Sequence, residues 1–530
     1  MSKFWKRAGA FALAGAMLLA LTGCGDKPAS GTDGGRRGRS EDELTIASGK
    51  EPEEGFSPIT GWGSYQHPLF FSTLLWRDGE MQIVKDLAAD YTVSEDGLTY
   101  RFTLREDAVF SDGEPLEASD VVFTFEKAAE GTSVDLTNLA DAAAQGNEVV
   151  LTLKAPQSTF IDTVCRLGIV PEHAYGEDFA EHPVGSGPYK LVQWDKGQQV
   201  IAEYNDLYYG SEPFFKKLTF VFLSEETTFA AAKAGELDVA AVTNAMGGES
   251  VAGMEMLDLS TIDNRGIVFP VNEPSADGTV GNAVTSDRAV RQAVNLAVDR
   301  KALIDGVLYG FGKPAYTECD GMPWWNEETA IEDGDLEGAA RLLEEAGWIP
   351  GEDGVRVKDG LRCAFTLIYP SGDQVRESLS LAMADMLLPA GMEVTVEGVS
   401  WDELGTRMLK DPSMQGWGSH SAMECYNLYH TTADASNWYN VGYYSNAAVD
   451  RYLEEALYAT DTDAADEGIQ KAQWDGETGY SLLGDAAWAW LVNIDHVYFV
   501  SEGLDTGVQK LHPHGHGWPI TDNITEWKWK

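Results

Sequence analysis

Three of the chain's nine histidines stand together as His512-Pro513-His514-Gly515-His516. Histidines two apart share one face of an extended chain, about 6.6 Å from each other at ~3.3 Å per residue, so neighbours can converge on one metal ion. All three can do so only if the chain bends at Gly515; the alternative is a hydrogen-bonded loop packed against Trp518. A second set, Trp62, Tyr65 and His67, follows the first apolar strand. Aromatic and polar groups on such loops suit the stacking and orienting of a small ligand, although they can equally pack locally. Cys165, Cys319, Cys363 and Cys425 are widely separated and make no CxxC or zinc-ribbon spacing. In an oxidising compartment up to two disulfides fit them as well as four buried thiols do. Signatures of catalysis are missing: there is no GxSxG elbow, HExxH helix, Walker loop or GxGxxG after a strand. Carboxylates are so abundant that no pair of them stands out, which leaves an exported hydrolase as a remote reading.

The elements that would position these residues are strands and helices in alternation. Leu44 to Ser48 reads as a short apolar strand. From Leu98 to Leu104 the residues Leu98, Tyr100, Phe102 and Leu104 alternate with Thr99, Arg101 and Thr103, as a half-buried strand requires. A turn at Ser111-Asp112-Gly113-Glu114 follows, and Ser119 is placed to cap a helix through Val121, Val122 and Phe125. Ser286 precedes a helix with Val290, Ala293, Val294 and Ala297 at i, i+3, i+4 and i+7. Leu336, Ala339, Ala340 and Leu343 repeat that spacing, with Gly347 just past the end. Strands resume at Cys363 to Tyr369 and Glu393 to Val399. This is α/β material without a fixed-period repeat, which argues against solenoids and propellers.

At the start, Lys3, Lys6 and Arg7 precede an uncharged apolar run from Ala8 to Leu21, a secretory signal rather than a spanning helix, predicted over 1–23. Leu21-Thr22-Gly23-Cys24 resembles a bacterial lipobox, which implies that Cys24 is lipidated and anchors the chain to a membrane. Residues 24–41 read as a flexible tether rich in Gly, Ser and Asp, with a basic patch at Arg36, Arg37 and Arg39. The 530 residues, 44% of them hydrophobic, supply more than one core. A net charge of −47, more negative still without the leader, excludes nucleic acid and anionic lipid surfaces as partners and suits the solubility of an exported protein.

Four segments resemble signature blocks of the peptide/nickel class of extracellular solute-binding proteins, family 5. Tyr100 to Lys127, YRFTLREDAVFSDGEPLEASDVVFTFEK, is similar to that family's strand, turn and capped helix. Gly185 to Gly210, GSGPYKLVQWDKGQQVIAEYNDLYYG, resembles its Gly-x-Gly-Pro-Tyr block and the strands after it. Asp287 to Ala315, DRAVRQAVNLAVDRKALIDGVLYGFGKPA, and Ala339 to Trp348 resemble two later blocks. Their order and spacing follow the family's, over most of the mature chain.

The resemblance implies an α/β, two-lobed periplasmic-binding-protein-like fold of type II, cluster C, with an extra subdomain inserted in lobe one. Lobe one would take residues 42–66, 184–270 and 500–530, the insert 67–183, and lobe two 271–499. It also implies a receptor that closes about a hinge on its cargo and hands it to the permease of an ABC importer. Such a receptor is a monomer without a cofactor, held on the outer face of a bacterial membrane, on its periplasmic or cell-wall side. Short peptides or peptide-like solutes are the leading cargo; a chelate of nickel or another transition metal is the alternative. Trp417-Gly418-Ser419-His420 and the run from Tyr426 to His430, with Tyr429, look like the cleft loop of lobe two. Peptide-binding members grip the free α-amino group with an aspartate shortly after a Gly-Trp pair, and His420 takes what looks like that place. A neutral imidazole does not replace a carboxylate as an amine anchor. Nickel-binding members use a histidine from lobe two and an arginine that clamps the chelator's carboxylate. His420 and Arg166, the latter in CRLGIVPEHAYG, stand near those positions.

Overall fold

The computed structural model describes residues 40–433, 435–515 and 517–530. The expected leader, Cys24, most of the tether and His516 lie outside them. Two large mixed sheets organise the chain. The first has seven strands in the order Met254–Leu259, His496–Ser501, Val239–Val242, Glu43–Ala47, Lys217–Val221, Gln199–Tyr204 and Tyr189–Asp195. Glu43–Ala47 lies inside it, parallel to both neighbours. The second has six, in the order Gly312–Pro314, Trp488–Ile494, Asn264–Val268, Ser413–Gln415, Ala364–Pro370 and Glu393–Val399. Trp488–Ile494 is buried along its whole length, because it pairs on both edges and is covered on both faces.

A four-stranded antiparallel sheet, Ala88–Val93, Thr99–Leu104, Glu148–Leu153 and Leu139–Gln145, forms the centre of the inserted segment. Tyr100, Phe102 and Leu104 turn inward as the alternation requires, while Arg101 stays exposed. The insert has no core of its own: Phe102, Val121 and Val149 belong to one continuous apolar cluster with Leu44, Ile46, Val200 and Phe220 of the seven-stranded sheet. It therefore moves with lobe one as one body. The second lobe buries Val290, Ala293, Val294 and Ala297 of helix Arg288–Ala297 together with Ala339 and Leu343 of helix Leu336–Glu345.

The caps differ from expectation. Asp287, not Ser286, accepts from the Ala289 N–H, and Glu117 with Asp120, not Ser119, forms a reciprocal capping box on helix Ala118–Ala129. In both places two polar residues within three positions of each other could cap, and the helix starts where its apolar face meets the core. The crossings between sheets also lie elsewhere than 270/271 and 499/500. The chain leaves the first sheet after Leu259 and enters the second at Asn264; it returns between Ile494 and His496. Residues 264–270 and 496–499 are as apolar as their flanks, so composition does not mark the crossing; hydrogen bonding to Ser413–Gln415 and Met254–Leu259 does.

Candidate functional site

Between the lobes lies a cavity of about 40 Å³ lined by residues 63–67, Trp76, Arg77, Asp162, Cys165, Arg166, His420 and Lys510. Its lobe-one wall begins with the loop after strand Glu43–Ala47. Trp62 is scaffold for that loop: it is buried, packs edge-on against Phe56 and Trp518, and donates its indole N–H to the Pro68 carbonyl at 2.7 Å. Its packing presents Tyr65, Gln66 and His67 to the cavity. The His67 backbone N–H donates to Asp522 at 2.6 Å, and Asp522 in turn pairs with Lys510. The His67 ring accepts at Nδ1 from the Leu69 N–H and stands edge-on to Trp76 at 5.5 Å.

The floor comes from the insert. Arg77 pairs with Asp162 at 2.6 Å, and the Arg166 Nε donates to the Asp162 carbonyl at 3.1 Å. Among the described residues the terminal guanidinium nitrogens of Arg166 have no hydrogen-bond partner, nor do Gln66 Nε2 and Arg77 Nε. Donors thus outnumber acceptors in the wall, the arrangement that suits a carboxylate or a carbonyl-rich ligand.

Lobe two contributes residues 417–424. Gly418 lies at φ 146, and a Cβ there would stand 2.1 Å from the Ile262 carbonyl oxygen, so only glycine lets this loop lie against the first crossing. His420 donates from Nε2 to the Leu511 carbonyl at 2.7 Å, which leaves Nδ1 with its lone pair when the ring is neutral. Burial first, and Lys510 second, push both His420 and His67 down to about 3. Glu424 accepts from the Gly418 and Ser419 N–H groups at 3.2 Å each. Burial pushes it up to about 8, and it shares the surroundings of Tyr65 with Arg166. Glu424 does not line the cavity itself, but its charge acts on Tyr65, and Arg166 of lobe one acts on it in turn.

Of the residues singled out from sequence, Tyr65, His67, Arg166 and His420 line the cavity; Trp62, Trp417, Tyr426 and Tyr429 do not. Trp417 stands near Tyr439, with its buried indole N–H unpartnered among the described residues. Tyr426 stacks on His430 at 4.2 Å, and Tyr429 is a core residue, stacked on Tyr480 at 3.5 Å and donating to Glu318 at 3.0 Å. The run read as loop is helix Met423–Tyr429, and at about 100° per residue Cys425, Leu428 and Tyr429 share the face turned to the core. The two described tail histidines have separate partners: buried His512 sets Nδ1 against His496 Nδ1 at 3.1 Å, while His514 pairs with Asp263. Sequence reading missed Gln66, Arg77, Asp162, Lys510 and Glu424. The only available signal was for Glu424, an acid four residues beyond the unusual His420.

The model of "Bacterial extracellular solute-binding proteins, family 5 Middle" matches residues 82–475. The chain belongs to this family. Protein XP55 of Streptomyces lividans is 35% identical to this family 5 protein over 515 residues, covering 93% of this chain and 91% of the relative. The oligopeptide-binding protein AppA of Bacillus subtilis is 27% identical over 425 residues, covering 74% and 76%. The fold matches that of NikZ from Campylobacter jejuni, solved in complex with Ni(L-His), with a TM-score of 0.76 at 24% identity, over 92% of this chain and 100% of that one. The family 5 assignment makes this a two-lobed solute-binding protein of the ABC-importer class, whose members work extracellularly or in the periplasm with a membrane permease. No helix among the described residues is long and apolar enough to cross a membrane.

Proposed function

We propose that this receptor captures a small peptide-like solute through its free carboxylate and its amino group, and that it has no catalysis of its own. The observation that carries this reading is that Arg166, whose terminal guanidinium nitrogens have no hydrogen-bond partner among the described residues, and the Glu424 carboxyl both act by charge on Tyr65. Arg166 takes the carboxylate. Glu424 takes the ammonium group in place of the aspartate that His420 replaces, with Gln66 Nε2 and Arg77 Nε left to meet peptide carbonyls. Cargo enters with the lobes apart and is held between them when they close. The protein acts as a monomer tethered through a lipid on Cys24, which keeps it beside its permease.

Titration calorimetry with a dipeptide mixture tests this. Because the Glu424 carboxyl is pushed up to about 8, an incoming ammonium ion ionises it, and binding at neutral pH releases close to one proton. The release is read from the dependence of heat on buffer ionisation enthalpy. Arg166→Ala should weaken binding by about 100-fold, on the order of 3 kcal/mol for a lost charged hydrogen bond, and Glu424→Gln should abolish the proton release. Peptides that bind both variants as they bind wild type would sink the reading.

One observation favours a second reading. His420 is held neutral, with Nε2 fixed on a carbonyl and Nδ1 left as a lone pair, the arrangement of a metal-ligating imidazole. Arg77, Arg166 and Lys510 disfavour a bare cation in the cavity, so the metal would come as an anionic chelate. Binding only when nickel and free histidine are both present, lost in His420→Ala, would establish this cargo instead.

A further inference from the structure

The four described cysteines fall in separate parts of the core. Cys165 belongs to the first lobe and Cys363 to the helix-covered face of the second; Cys319 and Cys425 share one apolar cluster on the other face of that lobe. Cys319 sits in the turn at residues 317–320, held by the Tyr316 and Thr317 N–H groups donating to Asp320. Cys425 lies on helix Met423–Tyr429. Their sulfur atoms and a Glu318 oxygen all lie within 4.8 Å of one another, with both cysteines buried.

We propose that Cys319 and Cys425 form a disulfide in the exported protein. A metal ion is the competing occupant of these groups, and three features disfavour it. The Glu318 carboxylate already accepts from the Tyr429 hydroxyl at 3.0 Å and the Tyr480 hydroxyl at 2.6 Å. The Tyr429 oxygen is itself engaged, by the Trp490 indole N–H at 2.9 Å. Burial pushes the Cys319 thiol up to about 12, and burial with Cys319 and Glu318 alongside holds the Cys425 thiol well above its ordinary value, so a metal would have to displace two thiol protons in an apolar site. A disulfide carries no charge and suits the same apolar surroundings.

Both sulfurs are inaccessible once the lobe has folded, so oxidation occurs while it is still open. The oxidant is the disulfide of an extracytoplasmic thiol oxidoreductase. One cysteine attacks as thiolate to give a mixed disulfide; the other displaces the oxidoreductase sulfur. Two thiol protons leave, and the two electrons reduce the donor disulfide to a dithiol. The bond ties the 317–320 turn to the helix that carries Glu424 and so fixes one wall of the cleft. It does not depend on which cargo the cleft takes.

The test uses the full-length protein recovered from the surface of the cell that exports it. It is denatured, labelled with N-ethylmaleimide without reductant, digested and mapped by mass spectrometry. The expected result is a linked pair of peptides containing Cys319 and Cys425, lighter by two hydrogens than the two thiol peptides together, with Cys165 and Cys363 labelled. In Cys425→Ser, Cys319 should take up the label, a readout that needs no folded protein. Complete labelling of Cys319 and Cys425 in the wild type overturns the proposal. So does a Cys319 that stays unlabelled in Cys425→Ser, or stoichiometric zinc in the native protein that Cys425→Ser loses.

Discussion

Lys510, after burial, is the second cause that keeps both cleft histidines neutral. It arrives from the C-terminal tail, pairs with buried Asp522 and stands beside Trp76, close to both cleft histidines. With burial it holds His67 and His420 at about 3, against an ordinary value of 6.5. Between these values the unfolded chain binds protons that the folded chain does not. The stability contributed by each neutral imidazole is therefore complete above pH 6.5 and is lost as the pH falls toward 3, at up to about 1.4 kcal/mol per pH unit and histidine. His420→Gln removes one of the two slopes, and urea melts between about pH 6 and 4 should give a correspondingly flatter decline. A slope equal to that of the wild type would mean that His420 titrates near its ordinary value. Tyr65, His67 and His420 were visible in the sequence because aromatic and histidine side chains are scarce on short loops. Lys510, Arg77 and Asp162 were not, since only the folded chain brings tail and insert to the same wall.

Periodicity gave the elements wherever one face is buried. The helix of Val290, Ala293, Val294 and Ala297 and the strand of Tyr100, Phe102 and Leu104 lie where their spacing puts them. It gave no helix at Met423–Tyr429, where Cys425, Leu428 and Tyr429 do fall at i, i+3 and i+4 but the run is only seven residues, too short for the period to mark a helix. The segment Gly185-Ser186-Gly187-Pro188-Tyr189 was visible as a motif, but its physical reason is tertiary. A Cβ on Gly185 would lie 2.1 Å from the Phe70 oxygen, and one on Gly187 would lie 2.5 Å from both Phe70 C and Phe71 N. The segment is pressed against the irregular stretch that continues from His67, with the Gly187 N–H donating to the Phe70 carbonyl at 3.0 Å. Gly187→Ala should therefore cost about 3 kcal/mol in urea denaturation, the upper range for forcing atoms into a packed site. It should also weaken cargo binding, because residues 65–67 must shift with residues 69–71. A loss below about 0.5 kcal/mol, the size of an ordinary surface change, would mean that this loop yields freely and does not position the cleft wall.

The two lobes are joined at residues 260–263 and at Asp495, and the tail threads between these crossings. Asp263, on the first crossing, pairs with Arg265 of the second lobe, with His496 just after the second crossing, and with His514 of the tail. Burial alone would raise the Asp263 carboxyl, yet Arg265 and His514 hold it well below the usual carboxylate range, so it stays charged at every working pH. His512 adds a backbone link, with the Ile262 N–H donating to its carbonyl at 2.9 Å. The histidine-rich tail, read from sequence as a metal site or a closing loop, thus serves as the pin of the hinge. All three segments that pass between the lobes meet on one carboxylate, so the angle between the lobes and the stability of the fold are coupled there. Asp263→Asn leaves the partly buried Arg265 without this counter-charge and should destabilise the protein by about 3 kcal/mol. If the network also favours the closed arrangement, the ligand-free variant should show a larger radius of gyration by small-angle X-ray scattering. Cargo affinity should then change by the factor by which the closed population changes, since a ligand that bridges both lobes draws on that population. A destabilised variant with unchanged radius and unchanged affinity would separate the two roles: Asp263 would hold the crossings together without setting the angle at which they are held.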